Sequence, residues 1–268
     1  MKRPMATLLA GTLAAAVALS GSLSLVAAAA DDSSDASIYI GSLYEPQNLD
    51  NTAGGGQGVT EAFNGNVYES LFRLTDDGDV VPLLAEGYTL SDDALTYTFQ
   101  LKPGVRFHSG KEVTAEDVKF SLERVFAPES QSARRSSFGA IASIEAPTSD
   151  TLVVTLECPS ISFIYNLTYV WVMNKDATDF TTTEDGTGPY VLDQWTRGSA
   201  LALRRFDDYW GTPAANAEVV FNYFTDATAL SNALLTGAVD IVTNVQSPDA
   251  LGLFEDDPDY VVNNGTST

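Results

Sequence analysis

Catalytic and metal-ligating side chains are scarce in this chain. Of its 268 residues, one is histidine and one is cysteine. A lone Cys158 permits no internal disulfide and no thiolate metal cluster. Its neighbours Leu156, Ile161 and Phe163 are apolar, which predicts a buried, inert thiol. Any Ser-His-Asp triad would have to use His108. That residue stands in Arg106-Phe107-His108-Ser109-Gly110, just before a turn, and the chain has no Gly-x-Ser-x-Gly elbow. The expectation is therefore a structural or surface histidine. The run Asp185-Gly186-Thr187-Gly188-Pro189 lacks the Gly-Lys-Ser/Thr ending of a phosphate loop, and Gly54-Gly55-Gly56 with Gly58 does not follow dinucleotide-binding spacing. Carboxylates are so common that any chosen pair is weak support for glycosidase chemistry. These absences predict a protein that is not an enzyme, with no cofactor, no catalytic residue and no resident metal.

Positive charge is also in short supply. Lysine and arginine number 14 against 36 aspartates and glutamates, a net charge of −22. Phosphate recognition needs clustered Lys and Arg, so nucleic acid is excluded as a partner, and an anionic membrane surface with it. The charge reads as solubility. Asp31-Asp32, Asp92-Asp93 and Asp256-Asp257 could suggest calcium, but no Asp-x-Asp-x-Asp-Gly loop accompanies them. What is present in quantity is core material. With 44% hydrophobic and 10% aromatic residues, the composition is globular, and the length allows one or two domains.

The N-terminus has its own pattern. Lys2 and Arg3 precede an uncharged, Ala-rich run from Ala6 to Val26, and Ala28-Ala29-Ala30 places small residues before Asp31. This is the pattern of a secretory signal peptide over residues 1–30. The run is too weakly apolar to favour a membrane anchor. Leu19-Ser20-Gly21 is like a bacterial lipoprotein signal, but Ser22 follows where a lipid-bearing Cys would be needed. A soluble exported protein is expected.

Periodicity places the elements. Ser37–Ile40 is a short β-type run, and Asn51–Gly58 is a glycine-rich loop. Phe63, Val67 and Leu71 at spacing four predict a helix over Thr60–Leu71. Asp76-Asp77-Gly78-Asp79 is a turn between short strands. Leu95, Tyr97, Phe99 and Leu101 alternate with Thr96, Thr98 and Gln100, the mark of a half-buried strand fed by the turn Ser91-Asp92-Asp93. Thr114 caps a helix whose face is Val118, Leu122 and Val125, with Glu116 and Asp117 at its positive end. A hairpin follows, Ser143–Ala146 and Thr151–Leu156. The last third alternates strand Val219–Tyr223, helix Ala227–Leu235 with Gly237 past its end, strand Val239–Val242, helix Pro248–Glu255 and strand Asp259–Val262. That order predicts a parallel α/β unit.

Three stretches carry a specific resemblance. Leu84-Ala85-Glu86-Gly87-Tyr88 leads through Asp92–Phe99 and Leu101-Lys102-Pro103-Gly104-Val105-Arg106-Phe107-His108-Ser109-Gly110 to Thr114-Ala115-Glu116-Asp117-Val118-Lys119-Phe120-Ser121-Leu122. Gly186-Thr187-Gly188-Pro189-Tyr190 is followed by Arg205-Phe206-Asp207-Asp208-Tyr209-Trp210-Gly211. Gly237-Ala238-Val239-Asp240-Ile241-Val242 is the third. Together these resemble the family 5 extracellular solute-binding proteins, the group of the oligopeptide, dipeptide and nickel binders. The resemblance covers nearly all of residues 37–268.

The resemblance implies an α/β fold: a periplasmic-binding-protein-like lobe, with a mixed sheet and flanking helices, plus a hairpin-rich inserted subdomain. The lobe maps to residues 31–68 and 186–268, and the insert to 69–185. In the family a second lobe follows a stretch similar to Val261–Thr268, so the resemblance implies a chain that stops before its second lobe. It implies a ligand cleft near Tyr44 and Glu45, with Gly55, Gly56 and Gln57 matching the region whose backbone faces a peptide. Turn flexibility for the glycines and core packing for Tyr44 are the competing readings, and Trp171, Trp195 and Trp210 read as core. The function implied is capture of a peptide or small solute at the periplasmic or extracellular face of the cell membrane. Delivery to the transmembrane permease subunits of an ABC transporter would follow, with the protein acting as a monomer. A non-binding single-lobe remnant and an exported hydrolase are the alternatives. Which solute, among peptides, nickel complexes, sugars and opines, is not written in these residues.

Overall fold

The structure, a computed structural model, describes residues 34–243, 251–252, 254–255 and 257–262. The expected signal segment 1–30 and half of the expected helix Pro248–Glu255 lie outside the described residues.

The first apolar run forms β1 (Ser34–Ser42). Helix α1 follows at Gly56–Phe63, which corrects two sequence expectations. The glycine-rich loop ends at Gly55, so Gly56, Gln57 and Gly58 are helical. The helix also stops well before Leu71. Gly65 takes a left-handed turn at φ 75°, and the amides of Val67 and Tyr68 both donate to the Phe63 carbonyl, at 2.9 and 3.0 Å. Val67, Tyr68 and Leu71 are buried all the same. The spacing reported burial, and turns rather than a helix deliver it.

Strands β2 (Phe72–Leu74) and β3 (Val80–Pro82) pair across the Asp76–Asp79 turn, where Gly78 supplies φ 84°. Strand β4 (Ala85–Leu90) leads to β5 (Thr96–Leu101), which buries Tyr97, Phe99 and Leu101 as its alternation predicts. Helix α2 (Ala115–Phe126) begins in a capping box: the amide and hydroxyl of Thr114 both donate to Asp117 Oδ2, at 3.0 and 2.6 Å. Its Val118, Leu122 and Val125 face is buried. A 3₁₀ turn at Arg135–Phe138 precedes β6 (Ile141–Glu145) and β7 (Thr151–Leu156). Cys158 is exposed rather than buried, because β7 ends at Leu156 and the chain leaves the sheet through Glu157-Cys158-Pro159. Short helix α3 (Phe163–Leu167) completes this half.

In the last third only the succession Val219–Tyr223 strand, Ala227–Leu235 helix and following short strand comes as expected, and two strands precede it that periodicity did not mark. Strands β8 (Tyr190–Thr196), β9 (Ala200–Arg205) and β10 (Asn216–Tyr223) lead to α4 (Ala227–Leu235) and β11 (Ile241–Val242). Asp226 caps α4 by accepting from Thr228 and Ala229, and Gly237 at φ 69° ends it. Strand β11 is shorter than Val239–Val242. The strand expected at Asp259–Val262 is absent: Tyr260 N–H donates to the Asp257 carbonyl at 3.1 Å and Asp259 N–H to Asp257 Oδ1 at 3.0 Å. This is the turn chemistry of Asp-Pro rather than an extended pairing.

Two main sheets result. One runs β11-β1-β10-β9-β8, with β1 parallel to β10 and β11 and the other pairs antiparallel. The β10-α4-β11 connection therefore crosses over β1, and α4 sits close against it. A Cβ on Gly41 would lie 2.5 Å from Leu230 Cδ1. The other sheet is antiparallel, β4-β5-β7-β6. Each has its own core. Phe99, Tyr97, Leu152, Val154, Phe138 and Phe163 anchor the antiparallel one with the α2 face. Leu201, Leu203, Phe221, Val59 and Phe63 anchor the mixed one, where Trp171 and Met173 also pack.

Candidate functional site

Parallel strands end on the same side of a sheet, and open α/β sheets bind ligands beyond those carboxyl ends. Here β1, β10 and β11 end at Ser42, Tyr223 and Val242. Ser42 is buried. Its hydroxyl donates to Glu61 Oε2 at 2.8 Å and accepts the Tyr44 amide at 3.0 Å. The Thr243 hydroxyl donates to Glu61 Oε1. Burial raises the Glu61 carboxyl above its ordinary range, and the Ser42 bond offsets this only in part. The Tyr223 hydroxyl is buried and has no hydrogen-bond partner among the described residues, and burial raises its pKa above the ordinary tyrosine value, helped by the charges of Glu45 and Glu61. Sequence reading missed Ser42, Glu61, Tyr223 and Thr243, because their meeting depends on strand order. The one available signal was that three of them sit at or just past predicted strand ends.

The residues that the sequence singled out occupy the loop beyond β1 and the start of α1. Tyr44 is half-buried. Glu45 Oε1 accepts from Trp195 Nε1 at 3.1 Å and from the Gly198 amide at 2.9 Å, so its carboxylate ties this loop to the β8–β9 hairpin. Gly55 is buried and has no room for a side chain: a Cβ would lie 2.5 Å from Val59 Cγ1 and 2.7 Å from the Asp50 carbonyl. Gly56, at φ 79°, and Gln57 are exposed in the first turn of α1. First-turn amides of a helix have no partner within it, and they are well placed to meet carbonyl or carboxylate groups. Behind the loop, Arg124 pairs with Asp50 and donates to Thr52 Oγ1 at 3.0 Å, its guanidinium stacked 4.3 Å from the Phe180 ring centre.

The second family motif, Gly186–Tyr190 with Tyr209-Trp210, converges elsewhere. Glu69 is 3% exposed and accepts three neutral donors: Tyr209 Oη at 2.7 Å, Trp210 Nε1 at 2.9 Å and Thr187 Oγ1 at 2.9 Å. Burial raises its carboxyl above the ordinary value, and these three bonds work against that rise. Gly186 and Gly188 lie flat on the backbone of Asn66 and Val67, where a Cβ would come within 1.9 Å of the Val67 carbonyl and 2.3 Å of the Asn66 carbonyl. A cavity of about 260 Å³ adjoins Glu69, with Arg73, Thr168 and Tyr169 in its wall; Tyr44, Glu45 and Gly55–Gln57 do not line it. His108 belongs to this second cluster and is structural: its ring stands edge-on to Phe206, 4.8 Å between centres. The tryptophans are packed as expected. Trp171 is buried, with Nε1 donating to Asn64 Oδ1 at 2.8 Å, and Trp195 and Trp210 are committed to Glu45 and Glu69.

Among the described residues no three His, Cys, Asp or Glu side chains are grouped to hold a metal ion. No described helix is long and apolar enough to cross a membrane.

Comparison with known proteins identifies the family. Residues 79–268 match the family described as bacterial extracellular solute-binding proteins, family 5 Middle. The glutathione-binding protein GsiB of Salmonella typhi is 32% identical over 235 residues, covering 83% of this chain and 44% of the relative. The chain thus spans less than half the length of that curated relative. Among solved structures, the binding protein AgaA of A. tumefaciens R10, in complex with agropinic acid, superposes with a TM-score of 0.75 at 32% identity, over 81% of this chain and 45% of that one. The nickel ABC transporter protein of Bacillus halodurans gives 0.69 at 32% identity, over 82% and 46%. The chain belongs to the bacterial extracellular solute-binding proteins of family 5.

Proposed function

We propose that this chain is the solute-capturing component of an ABC importer. It is exported by its residues 1–30, holds a peptide or similar small solute outside the membrane, and delivers it as a monomer to the permease subunits. No bond is broken in this reading. The observation that carries it is family membership joined to the placement of Tyr44, Glu45, Gly55, Gly56 and Gln57 just beyond the β1 carboxyl end. In this reading the exposed start of α1 presents backbone amides to the solute, while Gly55 keeps the loop tight against Asp50. Tyr44 supplies an aromatic surface, and Glu45 holds the loop in place through Trp195 and Gly198. The division into a lobe (31–68 and 186–268) and an insert (69–185) belongs to the same proposal. It is supported by the composition of the two sheets, one built from β1 and β8–β11 and the other from β4–β7.

Relatives of this chain are described as binding glutathione, agropinic acid and nickel complexes. A direct test is calorimetric titration of the purified protein with glutathione and with a panel of unmodified dipeptides. Saturable binding is expected, weakened by Tyr44→Ala and by Gln57→Glu, which places a negative charge at the start of α1. A folded protein that takes up none of these solutes would instead favour the non-binding lobe. Binding indifferent to both substitutions would move the site away from the β1 loop.

A further inference from the structure

His108, the chain's one histidine, is held in an unusual way. Its side chain is 7% exposed, and both ring nitrogens face oxygen acceptors: Nδ1 meets Glu184 Oε2 at 2.8 Å, and Nε2 meets the Gly188 carbonyl at 2.9 Å. A carbonyl cannot donate. Glu184 Oε2 already accepts the Gly186 amide at 3.2 Å, and Glu184 Oε1 accepts the Leu192 amide at 3.1 Å, so both of its oxygens act as acceptors. Only an imidazole with hydrogen on both nitrogens satisfies both contacts. A neutral ring would leave one nitrogen lone pair facing an oxygen lone pair in a buried place, an uncompensated contact.

The segment that His108 grips is tightly seated. The His108 amide donates to the Gly186 carbonyl at 2.8 Å, and Gly188 and Tyr190 donate to Val67 and Asn66, each at 2.9 Å. Next to it, Ser109 holds Asp185 through its amide at 2.9 Å and its hydroxyl at 2.8 Å. Thr187, in the middle of the segment, is one of the three donors to Glu69. The histidine thus joins the Arg106–Glu112 turn to the segment that leads into β8, the edge strand of the mixed sheet.

We propose that His108 is a proton-operated latch on the Glu184–Tyr190 segment, closed while the ring carries both protons and loosened when it loses one. The charged and titratable groups around it act in one direction. Glu184 and Asp185 sit on the gripped segment and Glu69 beyond it, all three acidic, with the Tyr68 hydroxyl accepting from the Asp185 amide. Burial pulls the imidazolium down. The Glu184 bond and charge, the Gly188 carbonyl and the Asp185 charge outweigh it, leaving the group above its ordinary 6.5. A raised folded value means that the latch contributes its full stability below pH 6.5 and loses it as pH rises through the folded midpoint.

A lone histidine makes the test unambiguous. In protein labelled with ¹⁵N only at histidine, the ring nitrogens report the imidazolium directly across a titration from pH 6 to pH 9. Hydrogen exchange of the peptide spanning 184–190 and the chemical-denaturation midpoint are followed over the same range. The expected result is a ring midpoint above 6.5, with the denaturation midpoint falling through that same pH. Exchange in 184–190 should speed up relative to β5, and Glu184→Gln should shift the ring midpoint downward. A ring already neutral at pH 6.5 would overturn the latch. So would stability and exchange that pass through the ring titration unchanged, and both readings come from the unsubstituted protein even if Glu184→Gln fails to fold.

Discussion

The two sheets of this protein bury their interiors in different ways. Beneath β5 the packing is apolar and aromatic: Tyr97 and Phe163 meet at a tilt with centres 4.8 Å apart, Phe99 lies 6.5 Å from Phe163, and Phe138 meets Phe163 edge-on at 6.3 Å. Beside the mixed sheet, the Glu69 cluster and the His108–Glu184 pair put polar groups out of water and satisfy them one by one. Apolar packing is non-directional and tolerates any side chain of similar shape. A buried carboxylate with three donors requires each partner at its own position, and losing one strands the others. The family motifs divide between the two: Leu84–Leu101 and the Val118–Leu122 face build the aromatic core, while the second motif coincides with the polar burial. Gly186-Thr187-Gly188 and Tyr209-Trp210 are recognisable because their geometry is exacting.

Substitutions can break this comparison. The largest loss is expected at Phe99, fully buried at the centre of the aromatic core, where Phe99→Ala should cost about 4 kcal/mol in a denaturant titration. A single transition shifted as a whole would show that the two cores unfold together; a second transition left in place would separate them. Next is Gly186→Ala, whose new methyl has no space against the Val67 carbonyl and should cost about 3 kcal/mol. A loss below about 1 kcal/mol would mean that the segment can lift off Val67, and the seam would not be rigid. Glu69→Gln retains the shape but turns one acceptor into a donor against donors. About 2 kcal/mol is expected, with Tyr209 or Trp210 fluorescence reporting the disturbance before global unfolding. Gly56→Ala isolates backbone conformation from packing, since only the left-handed φ opposes it and no neighbour comes closer than 4.0 Å; about 1 kcal/mol should be lost. The smallest effect belongs to Cys158→Ser, within about 0.5 kcal/mol. The thiol should react with an alkylating reagent in the folded protein, and failure to react would return Cys158 to the interior.

Much of the architecture was open to sequence reading because it depends on near neighbours. The alternation at Leu95–Leu101, the Thr114 cap, the Asp76–Asp79 turn and the Gly237 stop all describe contacts within a few residues. The helix expected at Thr60–Leu71 shows where this breaks down. Phe63, Val67 and Leu71 are indeed buried, but Gly65 with its positive φ turns the chain between them, and a burial pattern cannot tell a helix from a turn that buries the same side chains. Cys158 fails for the opposite reason, since apolar neighbours on either side do not decide the side of the sheet on which a chain leaves a strand.

By itself the sequence determined the family, the acidic composition, the β-hairpin order and the strand-helix-strand succession from Val219 to Val242. These follow from composition and from short-range periodicity, and extended motifs carry them without any knowledge of contacts. Tertiary structure alone decided that Glu69 meets Thr187, Tyr209 and Trp210 across 118, 140 and 141 residues, and that His108 faces two acceptors 76 and 80 residues away. It also gathered Ser42, Glu61, Tyr223 and Thr243 at one sheet end. Such meetings depend on strand order and on where backbones can approach within a glycine's width, and no local preference of the chain encodes either.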